Sequence, residues 1–113
     1  MSATEFENVL VLLREFKEEE HDDQRDSDRF PLVRPVRIMM GDQIIDNAFS
    51  RDISLQGVGT ISMAEFTPGQ VAFVAVHSLE QNDVVVEAKV AWSQPYGYGW
   101  FATGWQILSD VKA

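Results

Sequence analysis

The chain has 113 residues, 45% of them hydrophobic and 24% charged, with no cysteine and a net charge of −9. A chain of this size builds one domain with a real core, so collagen, global disorder and a disulfide scaffold are excluded. Residues 1–28 carry ten acids against three bases, while residues 29–113 carry eight against six. That balance speaks against DNA or RNA binding through phosphate neutralisation. It leaves room for a small anionic ligand, because five of the six arginines fall between positions 25 and 51.

Thr4 and Glu7 have the spacing of a capping box, and Phe6, Val9, Leu10, Leu13 and Phe16 recur on one helical face. The spacing predicts a helix from about Glu5 to Glu19. Its apolar face either covers the domain core or meets a partner or second copy as a homodimer contact. Residues 18–28, EEEHDDQRDSD, read as a flexible acidic linker. His21 beside Asp22 and Asp23 lacks a second histidine, so no metal site is assigned. The domain division is therefore 1–24, helix and linker, and 25–113, a β domain.

From Pro35 onward short β runs alternate with turn signals. The predicted strands are 36–40, 44–53, 57–62, 71–77, 84–93 and 100–108. Turns fall at Gly41-Asp42, Thr67-Pro68-Gly69, Gln81-Asn82-Asp83 and Pro95-Tyr96-Gly97-Tyr98-Gly99. Six closely spaced strands predict a mainly β fold, a small antiparallel barrel or sandwich, with the helix at its N-terminus. Trp92 and Trp100 are read as core residues rather than flanks of a site.

The longest apolar runs, Val9–Leu13 and Val71–Val76, are far short of the ~18 residues of a membrane span. Glu5 and Glu7 stand where a secretory signal carries positive charge. The chain is thus read as cytoplasmic. It is also read as a non-enzyme: there is no nucleophile elbow, Walker loop or zinc-protease helix, and His21 and His77 have no motif partner.

Two clusters carry more information. Arg25-x-x-x-Arg29 closes the linker, and Asp52-x-Ser54-x-x-Gly57 follows after 22 intervening residues. Singly, each has a plain structural reading: surface ion pairs for the arginines, local turn formation for Asp52, Ser54 and Gly57. Together, in this order, they resemble the PilZ domain family, bacterial receptors for cyclic di-GMP. Arg34-Pro35-Val36-Arg37-Ile38 resembles that family's first strand, and Ala91-Trp92, Tyr98-Gly99-Trp100 and Gly104-Trp105 its last hairpin. The likeness spans about Arg25 to Leu108 and implies a six-stranded antiparallel β-barrel.

The resemblance further implies that Arg25, Arg29, Asp52, Ser54 and Gly57 bind cyclic di-GMP, with no cofactor and no metal. The chemistry suits that ligand. Arginine forks match phosphate and the N7/O6 edge of guanine, and an aspartate accepts from the guanine N1–H and N2–H₂ donors. The implied function is a receptor or adaptor that changes conformation on nucleotide binding and signals to a partner protein. The alternative is an interaction module of the same fold that binds no nucleotide. Asp26 and Asp28 inside the arginine motif support that alternative, because they compete with phosphate. A third reading, a barrel stacking single-stranded nucleic acid on Trp92, Tyr98 and Trp100, conflicts with the net charge. Gln24 stands where some family members carry a further arginine associated with a stacked ligand dimer, which implies one ligand molecule here.

Overall fold

The computed structural model describes residues 30–79 and 82–111. The predicted helix at 5–19, the linker, the dimer contact assigned to that helix, Arg25, Arg29 and part of the turn at Gln81 lie outside the described residues.

Among the described residues, seven antiparallel strands form one sheet: β1 (Phe30–Pro31), β2 (Pro35–Met40), β3 (Gln43–Ile53), β4 (Gly57–Ser62), β5 (Val71–Val76), β6 (Val84–Gly97) and β7 (Trp100–Val111). Their order is β1-β3-β2-β5-β6-β7-β4, and β4 pairs back onto β3. The six long strands therefore close into a barrel, which removes free sheet edges. The expected six-stranded barrel is present, with nearly the predicted boundaries.

β1 and β2 lie along the same side of β3, interrupted at residues 32–34. The buried Ser50 hydroxyl mends this break: it donates to the Leu32 carbonyl and accepts from the Arg34 amide at 2.9 Å. Ladder bonds flank it, Leu32 N–H to Arg51 O at 3.1 Å and Ser50 N–H to Arg34 O at 2.8 Å. Replacing Ser50 by Ala leaves two buried backbone groups short of this partner. Ser50→Ala is expected to lower the unfolding free energy by about 1–3 kcal/mol, measured by urea denaturation.

Alternation fills the interior. Val36 and Ile38, Val58, Val74 and Val76, Val84, Val86, Ala88 and Val90, and Ile107 all point inward and are buried. Among the described residues, Trp105 is the largest fully buried side chain. Its indole N–H donates to Thr60 Oγ1 at 2.9 Å, and Phe66 meets its ring edge-on with centroids 5.0 Å apart. Phe66 comes from the β4–β5 connection, which plugs one end of the barrel. That plug is tied down by Gly69 N–H to Val90 O and Val90 N–H to Gln70 O, both 2.8 Å.

The last hairpin differs from expectation. β6 continues through Pro95 and Tyr96 to Gly97, and only Tyr98-Gly99 turn. β5 begins at Val71, opposite Lys89, so β6 has no neighbour on that side by Pro95. A proline without an N–H is tolerated there. Gly97 and Gly99 take φ of 124° and 84°, and Tyr98 takes 55°, which makes the tight reversal.

Candidate functional site

Strand alternation alone predicts the wrong face for two residues. On β3, Ala48 and Ser50 point inward, so Asp52 should follow them into the barrel. The β3–β4 register shifts between Ser50 and Asp52, where Ser50 faces Thr60 and Asp52 faces Gly59. This bulge inserts Arg51 and turns Asp52 outward, and Ile53 takes the buried position. On β6, Val84, Val86, Ala88 and Val90 point inward, so Trp92 should too. A second shift between Val90 and Trp92 inserts Ala91 and turns Trp92 outward. Ser93 then faces in and bonds Thr103 Oγ1 at 3.1 Å.

The two bulges lie in one line across four strands. Asp52 pairs with Gly59, Gly59 with Gly104, and Gly104 with Trp92. The glycines form a floor without side chains, and the flanking residues lean over it. A Cβ on Gly59 would stand 2.6 Å from Asp52 Oδ1, and one on Gly104 would stand 2.4 Å from the Trp92 indole. Arg51 completes the group. Its Nε lies 3.3 Å from Asp52 Oδ2, and its guanidinium carbon sits 5.8 Å from the centre of the Trp92 ring. Acid, guanidinium and indole thus share one outer surface of β3, β4, β7 and β6.

Chemically, this surface offers a carboxylate acceptor, a guanidinium fork and an aromatic face. The Asp52 side chain is 19% exposed and that of Arg51 38%, so their charges are only partly screened by water. A planar base with N–H donors on one edge fits such a set: the edge meets the carboxylate, and the face meets the indole or guanidinium.

Ser54 and Gly57 have a different character. Ser54 is buried, and its Oγ accepts from Gly57 N–H at 3.0 Å and Gln56 N–H at 3.2 Å. Its own N–H donates to Gly57 O at 2.8 Å. The serine hydroxyl therefore folds the β3–β4 turn, the plain structural reading of this residue. Gly57 opens β4 without a positive φ, so the turn does not demand a left-handed backbone there. Together they fix where Asp52 enters the row.

Arg25 and Arg29 lie outside the described residues. Phe30 pairs with Ile53, and Pro31 pairs with Asp52. The described chain thus begins beside Ile53 and Asp52.

Sequence reasoning missed Gly59 and Gly104, gave Arg51 no specific contact and expected Trp92 and Trp100 in the core. Both tryptophans are partly exposed on the outside, and Trp105 is the one in the core. A signal was present: glycines inside strands mark close approach of another group. Among the described residues no set of three or more His, Cys, Asp or Glu side chains forms a metal site. No described helix is long and apolar enough to cross a membrane.

The comparisons with known proteins bear on the fold and the family. In the solved structures, the Bacillus subtilis inhibitor of motility (MotI/DgrA) is similar, with a TM-score of 0.62 and 17% identity. The likeness covers 79% of this chain and 44% of that one, so the chain spans less than half of that protein's length. It concerns the fold. A comparison with curated protein sequences gave no match. The PilZ domain profile matches residues 23–109, most of the chain, including both motifs. This chain therefore belongs to the PilZ domain family.

Proposed function

We propose that the chain is a cyclic di-GMP receptor that passes nucleotide occupancy to a partner protein. The observation that carries this reading is the outward turn of Asp52. A bulge places its carboxylate over a glycine floor, one residue pair from the strand into which Arg29 leads. Arg25 and Arg29 act as the clamp for phosphate and guanine, and Asp52 accepts from the guanine N–H edge. Ser54 and Gly57 hold the turn that aims Asp52, and Trp92 with Arg51 forms the wall against which a base stacks.

The clamp comes from the segment before β1, so ligand binding orders that segment against the barrel. The new surface is what a partner reads. Asp26 and Asp28 temper affinity by competing for the same arginines.

Calorimetric titration with cyclic di-GMP tests the reading. Saturable binding is expected for the wild type, with one nucleotide per chain. Arg29→Ala and Asp52→Ala each lose a charge-assisted contact of about 1.5–3 kcal/mol, a weakening of about 10- to 100-fold. A folded wild-type protein that gives no heat and no spectral change with the nucleotide overturns the proposal. The interaction module without nucleotide is then the reading that stands.

A further inference from the structure

Next to the glycine row, the outer surface becomes apolar. Two positions along β4 from Gly59, Ile61 points outward, paired with Phe49 on β3, which is 44% exposed. The β6–β7 hairpin stands over this wall. Ile61, Tyr96, Gly97, Tyr98 and Trp100 line a cleft of about 410 Å³. Tyr96 is 62% exposed and Tyr98 fully so. None of the lining residues is charged. Exposed aromatic surface beside a binding row is a place where another segment can pack.

We infer that this cleft is the seat of the chain's own N-terminal segment, with the apolar stripe of Phe6, Val9, Leu10, Leu13 and Phe16 laid against it and against Phe49. Three observations select this occupant. First, the sequence supplies an apolar stripe at helical spacing, and a helix of about 15 residues is marginal in water without a surface to pack on. Second, the tether reaches. Residues 20–29 span up to about 33 Å when extended, and the longest dimension of the molecule is 34 Å. The chain joins the barrel at Phe30 on β1, which pairs with β3, the strand that also supplies Phe49 to the patch. Third, a tethered segment acts at an effective concentration on the order of millimolar, so it outcompetes a free partner of similar contact chemistry. The cleft's uncharged lining is compatible with a segment rich in acids, whose charges remain in water on the opposite face.

The proposal concerns the nucleotide-free chain and stands apart from cyclic di-GMP binding, so its test contains no nucleotide. The chain has no cysteine, so Asn8→Cys provides a single attachment point for a nitroxide spin label. In the full ¹⁵N-labelled chain, the amides of Ile61, Gly97 and Tyr98 and the Trp100 indole are expected to lose intensity. Arg37, Asp46 and His77, on the β2–β5 side of the barrel, are expected to keep theirs. Adding Leu10→Ser and Leu13→Ser restores the cleft signals, and so does Tyr98→Asn in the barrel. Asparagine tolerates the positive φ at position 98, so this variant keeps the hairpin.

Two results overturn the proposal. One is unchanged cleft intensity in the spin-labelled chain while the Trp105 indole signal reports a folded core. The other is broadening that persists at full strength when spin-labelled unenriched chain is mixed with unlabelled ¹⁵N chain, which assigns the cleft to a second copy.

Discussion

Trp105→Ala is expected to cost more stability than any other single change in the barrel, about 3–5 kcal/mol. The indole is 1% exposed, touches Phe66 edge-on and is anchored through its N–H to Thr60. Truncation leaves a cavity beneath the β4–β5 plug and strands the Thr60 hydroxyl in the interior. A domain of this size has roughly 5–15 kcal/mol in all, so the variant approaches the unfolding threshold. The midpoint of thermal unfolding should fall by about 12–20 °C. Trp105→Phe separates the two contributions. It keeps most of the ring volume and loses the hydrogen bond, so a smaller loss of about 1–3 kcal/mol is expected. Calorimetric melting of the three proteins checks both values. Equal melting temperatures for wild type and Trp105→Ala would show that the plug does not depend on this ring.

Gly104→Ala is the second large effect, and it acts on the site. An added Cβ would sit 2.4 Å from the rigid Trp92 indole, so the ring must leave its seat. The displaced ring also moves out of reach of the Arg51 guanidinium. Overpacking of this kind costs about 1–3 kcal/mol. Combining it with Trp92→Ala removes the obstruction, so the double variant should be more stable than the sum of the two single losses predicts. The coupling is expected at about 1–2 kcal/mol in a denaturation-based double-mutant cycle. Additive losses would show that indole and glycine are not in contact. Gly59→Ala is the milder counterpart, because its Cβ meets the end of the Asp52 side chain, which can swing aside. Its expected signature is weakened nucleotide binding at nearly unchanged stability.

The two halves of the site were legible to different degrees. Arg25, Arg29, Asp52, Ser54 and Gly57 stand out in the linear sequence because their spacing is a motif. Their roles are less uniform than the motif suggests. Ser54 spends its hydroxyl on the Gln56 and Gly57 amides, a local bond that turn chemistry alone predicts. Gly59, Gly104 and Arg51 were not legible, because their significance depends on partners 7, 12 and 41 positions away in the chain: Asp52, Trp92 and Trp92 again.

By itself the sequence determined the six long strands and, through the paired motifs, the barrel family; spacing alone left barrel and sandwich open, and the core tryptophan was misassigned. Alternating valines on β5 and β6, turn signals at Gly41, Gly69 and Tyr98-Gly99, and the lack of long helical periodicity after residue 35 admit few other folds. Only the tertiary structure decided which face Asp52 and Trp92 occupy. Strand side chains have a period of two, so one extra residue reverses every position that follows. The bulges at Arg51 and Ala91 are such insertions, and they become visible only when β3 is set against β4 and β6 against β7. That non-local registration carries the acid and the indole from the inward face that strict alternation would give them to one shared outer surface.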